Sequence, residues 1–340
     1  MERKLASIQE IRDIVPIKGA DNIELATINN WKVVVAKDVG HSVGDMVVYC
    51  EIDSFLPVRD EFEFLRKTSH RKMAGVEGFR LKTLKLRGAI SQGLILPISI
   101  FGDFGWTAYV GLDVTHRLGI VKYDPPIPAE LAGIAKGNFP SFIPKTDENR
   151  IQNLTDEFVQ WKADPTLQWY ETEKLDGSSV TYFYNQGQFG VCSRNLELER
   201  NPDNTLWRVA AELKIEETLI DMGINLAIQG EMAGEGIQGN PYKLSGQHFF
   251  AFNMFDIDTQ SYYGLPMFMA TAEHTLDIKT VPIINMDYKL PDTIDEILEH
   301  VNGQSVLNSQ ARREGSVIRS LDRTKSFKGI SNKFLLKHGS

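Results

Sequence analysis

The tetrapeptide Lys174-Leu175-Asp176-Gly177 combines residue types and a spacing that can support a chemical reaction. Side chains two residues apart on a strand project from the same face, so Lys174 and Asp176 would point together, and Gly177 would leave room for a bulky ligand. An unprotonated lysine amine can attack the α-phosphate of a nucleotide. A carboxylate alone raises the pKa of a lysine, so this chemistry requires a divalent metal ion or another cation nearby. The alternative is a surface Lys–Asp pair at the end of a strand.

Other residues with suitable chemistry follow this tetrapeptide in a definite order. Arg194 stands at the end of the next candidate strand, and Glu231 ends the apolar run INLAIQGE. The run FFAFNMFDI supplies aromatic side chains together with Asn253 and Asp256. Glu314 opens a late candidate strand, GSVIRS. Three lysines stand near the end of the chain: Lys325, Lys328 and Lys333.

This ordered series resembles the covalent nucleotidyltransferases, the superfamily of polynucleotide ligases and capping enzymes. The resemblance is closest to the ATP-dependent RNA ligases that carry an OB domain before the nucleotidyltransferase domain. It extends over nearly the whole chain, because WKVVVAK, VGDMVVYCEIDSFLP and IPKTDENRIQN are also similar to that group. In such enzymes a lysine takes AMP from ATP and passes it to an RNA 5′-phosphate, and a 3′-hydroxyl then displaces AMP. The resemblance thus implies an RNA ligase that uses ATP with Mg²⁺ or Mn²⁺ and joins RNA 3′-OH and 5′-phosphate ends.

The same resemblance implies roles for individual residues that bind the nucleoside. Lys174 is expected to be the nucleophile that forms lysyl-AMP. Glu231 is similar to the carboxylate that binds the ribose and helps to organise the metal ion. Phe252 is similar to the ring that stacks on adenine, and its alternative role is core packing in an apolar strand.

Five basic residues are implied as further contacts of ATP or AMP: Lys145, Arg150, Arg194, Lys328 and Lys333. Lys145 and Arg150 resemble the basic pair that orients the pyrophosphate leaving group, where neutralised charge favours in-line displacement. Lys328 resembles the lysine that contacts the α-phosphate. Lys333 is a second candidate for that contact, and its alternative is a solvated residue near the chain end.

Acidic residues are implied as metal ligands. Asp176 and Glu314 resemble the groups that hold a hydrated metal ion, for which oxygen-rich coordination that retains water is suitable. Glu231 is expected to assist them. Relatives often have an aspartate where this chain has Asn253, and an acid follows only at Asp256. Both residues are expected ligands, although an amide oxygen is a weaker ligand for a hard cation.

The elements that must position these residues fall into two groups. From Asn22 to Leu56 the chain consists of short β-branched and aromatic runs separated by turns, such as IELATI, WKVVVAK and MVVYCEI. Such runs indicate a small antiparallel barrel. A five-stranded OB fold is the most economical closure for about 120 residues of this kind. We therefore predict an N-terminal OB-fold barrel over residues 1–125.

A proline-rich stretch follows this barrel. Five prolines fall in one window: Pro125, Pro126, Pro128, Pro140 and Pro144. Because proline fixes φ and removes a hydrogen-bond donor, we predict a linker over residues 126–144.

Residues 145–340 mix strand-like runs with amphipathic helices. One predicted helix lies in DNTLWRVAAELKIEETLIDMG, with Asp203 or Asn204 as its cap and Gly223 as its end. Thr293 and Glu296 form a candidate capping box for another helix. We predict an α+β domain here, built on an antiparallel sheet: a nucleotidyltransferase domain of the ATP-grasp-like ligase type.

Composition restricts the class of protein. The 340 residues are 42% hydrophobic and 24% charged, which is ordinary for a globular chain. No apolar run of roughly 18 residues is present, so no contact with a membrane is expected. The two cysteines, Cys50 and Cys192, are too few for a disulfide framework. We expect a monomer in the cytoplasm or another intracellular reducing compartment.

Positive charge is concentrated locally although the formal net charge is −8. Eight basic residues lie in the segment from Arg66 to Arg87, and they are opposed only by Glu77. A second stretch, from Arg319 to Lys337, is opposed only by Asp322. Such stretches indicate either phosphate-binding surfaces or solvated faces.

Other functions share some of these features. A DNA ligase or a capping guanylyltransferase usually carries the OB domain after the transferase domain, which is the reverse order. A noncatalytic RNA-binding protein with a degenerate transferase domain is a further alternative. Gly234, Gly236 and Gly239 match GxGxxG, but Asn240-Pro241 follows instead of a helix, which argues against a dinucleotide fold. No GxxxxGK[ST] phosphate-binding loop occurs.

Overall fold

In a computed structural model, the described residues are 3–102, 107–124 and 135–338, and they form two compact units. The first unit comprises the described residues up to 124, together with residues 152–155 and 335–338. The second comprises residues 135–151 and 156–334. No helix in the described ranges is both long and apolar enough to cross a membrane.

The first unit is built from antiparallel sheets. Its strands are β1 (Ala6–Pro16), β2 (Ile23–Ile28), β3 (Trp31–Ala36), β4 (Met46–Cys50), β5 (Ser54–Pro57), β6 (His70–Met73), β7 (Val76–Arg80), β8 (Thr83–Leu86), β9 (Ala89–Gln92), β10 (Leu94–Pro97) and β11 (Val121–Lys122). The largest sheet has the order β10-β4-β1-β2-β3, the next has the order β11-β5-β7-β6, and β8 pairs with β9. Short 3₁₀ turns cover Lys37–Val39, Asp60–Leu65 and Ile98–Phe101, and helix α1 covers Arg66–Ser69. Phe62 and Phe79 are fully buried in its core, together with apolar residues of β1 and β4.

Residues 152–155 join the first unit through side-chain hydrogen bonds. The indole Nε1 of Trp31 donates to Asn153 Oδ1 at 2.6 Å, and Asn153 Nδ2 donates to Glu51 Oε1 at 2.7 Å. Asn30 Nδ2 donates to Thr155 Oγ1 at 2.8 Å. A segment after the predicted linker therefore belongs to the N-terminal unit, a return of the chain that local sequence patterns did not indicate.

The second unit contains two antiparallel sheets. Its strands are β12 (Ala135–Asn138), β13 (Trp169–Lys174), β14 (Ser178–Asn185), β15 (Gln188–Cys192), β16 (Leu196–Leu198), β17 (Leu226–Gly234), β18 (Gln247–Asp256), β19 (Ser261–Tyr262), β20 (Ile283–Tyr288), β21 (Gly315–Ser320) and β22 (Ser326–Ile330). Seven of them form a sheet in the order β12-β16-β15-β14-β17-β18-β19. The other four form a sheet in the order β20-β13-β21-β22. The α+β architecture agrees with the prediction.

The described residues after β12 also form helices. They are α2 (Thr155–Ala163), α3 (Thr205–Glu212), α4 (Ile215–Met222), α5 (Leu265–Ala270), α6 (Ile294–His300) and α7 (Asn332–His338), with a 3₁₀ turn at Ile151–Asn153 and a π turn at Thr271–Thr275. The apolar faces of α3 and α4 pack with residues of β14, β17 and β18 in the main core. The predicted capping box of Thr293 and Glu296 is present at the start of α6.

The long helix predicted over DNTLWRVAAELKIEETLIDMG is divided in two. Asn204 caps α3 by accepting hydrogen bonds from Leu206 N and Trp207 N, and Gly223 ends α4 with a φ of 63°. Between them Lys214 has a left-handed backbone with a φ of 52°. An L residue rarely adopts this conformation, and it interrupts the helix.

The predicted linker over residues 126–144 differs from the structure. Pro125, Pro126 and Pro128 lie outside the described residues. The strand Ala135–Asn138 pairs with β16, and Ile143 is buried against residues of the seven-stranded sheet. Residues 135–144 therefore belong to the second unit, because their own pairing and apolar side chains outweigh the local effect of proline.

Candidate active site

Lys174 stands at the end of β13, where it pairs with Gly315 of β21. Its Nζ donates to Glu314 Oε2 at 2.6 Å, and the lysine side chain is 27% exposed. Further along the same face, Thr172 pairs with Val317, which pairs in turn with Lys328 of β22. The sheet thus presents two lysines on one face, with Lys328 about 7 Å along the strands and about 10 Å across them from Lys174.

The chain turns directly after β13 and runs close to β17. A Cβ atom on Gly177 would lie 2.4 Å from the carbonyl oxygen of Met232 and 2.8 Å from Cγ of Glu231. The backbone N–H of Asp176 donates to the hydroxyl of Tyr242 at 2.6 Å. Glycine is therefore needed at position 177, where the chain passes close to β17. This close approach brings Asp176 and Glu231 near Lys174.

Three carboxylates act electrostatically on this lysine. Burial raises the pKa of Asp176 to about 6, and Glu314 adds to the increase while Lys174 opposes it. Burial also raises the pKa of Glu231 to about 8, against the effect of Lys174 and with the help of Glu314 and Asp176. Burial by itself would lower the pKa of Lys174, but the carboxylates outweigh it and raise that pKa. In this state Lys174 is an ammonium group and cannot act as a nucleophile.

The donor set fits a hard divalent cation. Carboxylate oxygens are suitable ligands for Mg²⁺ and Mn²⁺. Added positive charge would offset the burial, and the smaller repulsion between carboxylates, that raise the pKa values of Asp176 and Glu231. Within residues 3–102, 107–124 and 135–338, no group of three His, Cys, Asp or Glu side chains is arranged to hold a metal ion. A cation here would need water or phosphate oxygens to complete its coordination.

Phe252 occupies a β-bulge. The register of β17 and β18 passes from Gln229–Asn253 to Gly230–Ala251, so Phe252 has no partner of its own in β17. Bulges redirect a side chain, and they are over-represented beside active sites. The ring is only partly buried, and the guanidinium carbon of Arg319 lies 5.8 Å from its centroid. Its exposed part leaves surface against which a planar group can stack.

The structure does not support the two remaining metal ligands. Asn253 is buried: its Nδ2 donates to Gln229 Oε1 at 3.2 Å, and its Oδ1 accepts from Arg323. Asp256 Oδ1 accepts from the backbone N–H groups of Asp258 and Thr259, both at 2.9 Å, and so fixes a turn.

Strand register explains the position of Asp256. It pairs with Leu226, five residues along β17 from Glu231, which corresponds to roughly 17 Å. The metal-binding roles of Asn253 and Asp256 stay predictions, which their hydrogen bonds and this register do not favour.

The predicted phosphate-binding residues lie in several elements. Arg150 is buried and forms a parallel bridge with Lys328. Lys145 Nζ donates to Asn195 Oδ1 at 3.2 Å, and Arg194 lies 3.2 Å from Asp147 Oδ1. The charge of Arg194 also lowers the pKa of Glu231, so Arg194 lies near the carboxylates. Lys333 is exposed in the first turn of α7, and its role stays a prediction.

Sequence reasoning missed Arg319. It is 3% exposed and follows Gly315 and Val317 on the same face of β21. Its Nη1 donates to Thr172 Oγ1 at 2.8 Å, and its Nε lies 3.5 Å from Glu148 Oε1. Desolvation lowers the pKa of this guanidinium. The period-two pattern of GSVIRS after Glu314 was the available signal for an arginine on the site face.

Glu231→Gln is expected to stabilise the ligand-free protein at pH 8. The pKa of Glu231 is raised from 4.5 to about 8, so stability falls as the pH rises through that interval, because the unfolded chain releases the proton first. After allowance for partial exposure, the gain should be about 1 to 2 kcal/mol, or a few degrees in the unfolding temperature.

Thermal unfolding of both proteins at pH 5 and pH 8 would measure this gain. At pH 5 it should be much smaller. The exposed Glu235, changed to Gln, is the matched control. An equal gain at both pH values, or none, would contradict the electrostatic assignment.

Two family models match the chain. One, described as RNA ligase, matches residues 167–337, and one, described as an OB-fold domain, matches residues 5–98. The second match confirms the predicted class of the N-terminal fold. No curated protein matches the chain.

Solved structures of an RNA ligase from Naegleria gruberi are similar over the full length. A ligand-free mutant superposes with a TM-score of 0.92 at 40% identity, covering 99% of this chain and 98% of that chain. A mutant with AMP and Mn has a TM-score of 0.91 at 41% identity, with 99% of both chains covered. A mutant with ATP and Mn has a TM-score of 0.91 at 40% identity, again with 99% of both covered.

Proposed function

The chain belongs to the RNA ligase family, and on this basis we propose that it is an ATP-dependent RNA ligase that joins 3′-OH and 5′-phosphate ends. The observation that carries the proposal is the convergence of three carboxylates, Asp176, Glu231 and Glu314, on the amine of Lys174. Solved relatives with ATP or AMP and Mn support the use of ATP and a divalent cation.

In the first step the Nζ atom of Lys174 attacks the α-phosphorus of ATP. A P–N bond forms, the P–O bond to the β-phosphate breaks, pyrophosphate leaves, and the ammonium proton passes to solvent. The amine must first lose its proton, which the surrounding carboxylates oppose. When bound, Mg²⁺ or Mn²⁺ would supply positive charge that lowers the pKa of the lysine and stabilises charge on the phosphate.

The other site residues bind the nucleotide. Phe252 stacks on adenine, and Glu231 binds the ribose. Lys328, on the same face as Lys174, contacts the α-phosphate. The basic pair Lys145 and Arg150 orients the pyrophosphate, and Arg194 is a further contact of the nucleotide.

Two transfers complete the reaction. The 5′-phosphate of RNA attacks the phosphorus of lysyl-AMP, which breaks the P–N bond and forms an RNA-adenylate with a 5′,5′ pyrophosphate link. The 3′-hydroxyl of the other end then attacks the RNA 5′-phosphorus, AMP leaves, and a phosphodiester is formed. Lys174 regains its proton when the P–N bond breaks.

The alternative functions, a DNA ligase or capping enzyme and a noncatalytic RNA-binding protein, are less well supported. The OB-fold match precedes the RNA ligase match, the reverse of the order usual in DNA ligases and capping enzymes. A degenerate transferase domain would have no reason to retain Asp176, Glu231 and Glu314 around one lysine.

Sealing of matched broken strands tests the proposed end chemistry. We expect ATP-dependent joining when RNA supplies the 3′-OH and the 5′-phosphate, and no joining of 3′-phosphate or 5′-OH ends. Substrates with DNA placed on either side of the break identify which side must be RNA. Equal sealing of all-DNA substrates would contradict the RNA assignment.

The first unit carries a cluster of like charges that fits a nucleic-acid phosphate. Burial lowers the pKa of Lys82, and the charges of Arg71 and Arg80 lower it further. The Arg80 guanidinium also lies 4.1 Å from the centroid of the Tyr123 ring. Arg66 is paired with Glu63 at 2.6 Å, and Arg80 Nη2 lies 3.7 Å from Asp53 Oδ1. OB barrels commonly follow a phosphate backbone with such surfaces.

Charge reversal of this cluster, Arg71→Glu with Lys82→Glu, is expected to reduce RNA sealing by about tenfold or more at low salt. Lysyl-AMP formation should stay within about twofold, because the cluster is proposed to contact RNA phosphates and not ATP. The control carries the same charge change on exposed residues of the same unit, Arg12→Glu with Lys18→Glu. The proposal fails if the control and the cluster variant lose sealing equally, or if adduct formation falls as much as sealing.

A further inference from the structure

The reverse face of β13 carries a second set of buried charges. Side chains alternate along a strand, so Glu171 and Glu173 point away from the face that carries Lys174. They are 0% and 1% exposed. The residue directly before Glu314, Arg313, is also buried, at 6% exposure. The proposed site therefore has an ionic network behind it.

The guanidinium of Arg313 is enclosed by the segment that follows α6. Its Nε donates to the carbonyl of Val301 at 3.1 Å, and its Nη2 donates to the carbonyl of His300 at 2.8 Å. The same Nη2 lies 3.7 Å from Glu171 Oε1. A Cβ atom on Gly303 would lie 2.7 Å from the guanidinium carbon, so glycine leaves the space that this group fills.

Glu171 also holds the chain on the other side of Glu314. Ser316 Oγ donates to Glu171 Oε1 at 2.6 Å, so Arg313 and Ser316 are anchored on the same carboxylate. The backbone carbonyl of Glu314 accepts from Ser331 N at 2.8 Å. With its neighbours fixed on the reverse face, Glu314 is held with its side chain directed to Lys174, 2.6 Å away.

We propose that Arg313 is a positioning residue that, through Glu171 and the two carbonyl groups, fixes Glu314 on the reacting lysine. This inference rests on the proposed ligase function. Arginine suits the role because its planar fork donates in two directions from a fixed geometry, whereas the ammonium of lysine cannot reproduce both carbonyl contacts and the ion pair. Arg313 itself touches neither Lys174 nor the nucleotide side of the sheet.

The test is a double-mutant cycle on the single-turnover rate of lysyl-AMP formation, with Arg313→Met, Glu314→Asp and the combined variant. Arg313→Met should lower the rate about tenfold or more in the wild-type chain. In the Glu314→Asp chain it should lower the rate less than about threefold, because the side chain that it positions is already displaced. Arg313→Lys should restore only part of the rate. Arg312→Met, at the exposed neighbouring residue, is the control and should change neither rate.

The proposal would be overturned if Arg313→Met lowered the rate by the same factor in the wild-type and Glu314→Asp chains. An unchanged rate in a folded Arg313→Met protein would also overturn it. Thermal unfolding reports whether each variant folds. Gly303→Ala provides an independent variant, since its methyl group would displace the guanidinium without removing the charge, and it should show the same coupling to Glu314→Asp. A wild-type chain that forms no adduct would instead refute the ligase function and would be recognised before any variant is made.

Discussion

Lys174→Ala is expected to abolish transfer of AMP from ATP to the protein, with a loss of at least about 10⁴-fold, the scale seen when a nucleophile is removed. The residue pairs with Glu314 at 2.6 Å and lies within the field of three carboxylates. Lys174→Arg should not restore the reaction, because a guanidinium stays protonated and cannot attack phosphorus. The measurement is covalent incorporation of labelled AMP.

A matched substrate separates loss of the nucleophile from loss of the fold. RNA that already carries a 5′-adenylate needs no lysyl-AMP, so Lys174→Ala should still seal it at a measurable rate while ATP-dependent sealing of 5′-phosphate RNA is lost. Normal labelling of Lys174→Ala would reject the assignment. If Lys174→Ala loses both sealing reactions and its thermal unfolding profile is altered, the variant has a folding defect. The Lys174→Arg protein would then be used for the same test.

The second large effect is expected from the acidic residues. Asp176→Ala and Glu314→Ala should each lower the adduct rate by about 10²-fold or more, since in the proposed function a hard cation and its waters lose an oxygen ligand. The concentration of Mg²⁺ or Mn²⁺ that gives half of the maximal rate should rise in both variants. A titration of the adduct rate with each metal measures this.

Asp256→Asn is the control for that titration. Asp256 fixes a turn at the far end of β18, so its substitution should leave the metal dependence unchanged. If Asp176→Ala and Glu314→Ala keep the wild-type metal dependence, these carboxylates do not serve the cation. If Asp256→Asn shifts the titration as much as they do, Asp256 also serves the cation.

Local sequence rules predicted those features of the fold that depend on interactions between neighbouring residues. Lys174 lies at the end of a strand, β13, and the caps at Asn204 and Thr293 begin helices as predicted. These features depend on neighbouring residues within one turn or one strand. The order of the two domain types was likewise evident from the resemblance carried by the motifs.

Long-range pairing explains what the sequence did not indicate. The bulge at Phe252 changes which residues of β18 face the site, and it is visible only in the register with β17. The left-handed Lys214 divides a segment with continuous helical periodicity. Arg313 and Arg319 acquire their roles from distant partners, including Glu171 and Thr172, which no spacing within one segment indicates.

Incubation of the protein with α-³²P-labelled ATP and Mg²⁺, followed by peptide mapping and a chase with 5′-phosphate RNA, shows whether Lys174 carries AMP on the way to RNA. We expect one labelled peptide with AMP on Lys174 and release of pyrophosphate in equal amount. The label should pass to RNA when the chase is added. Absence of label, label on a different residue, or label that does not pass to RNA would contradict the proposed ligase reaction.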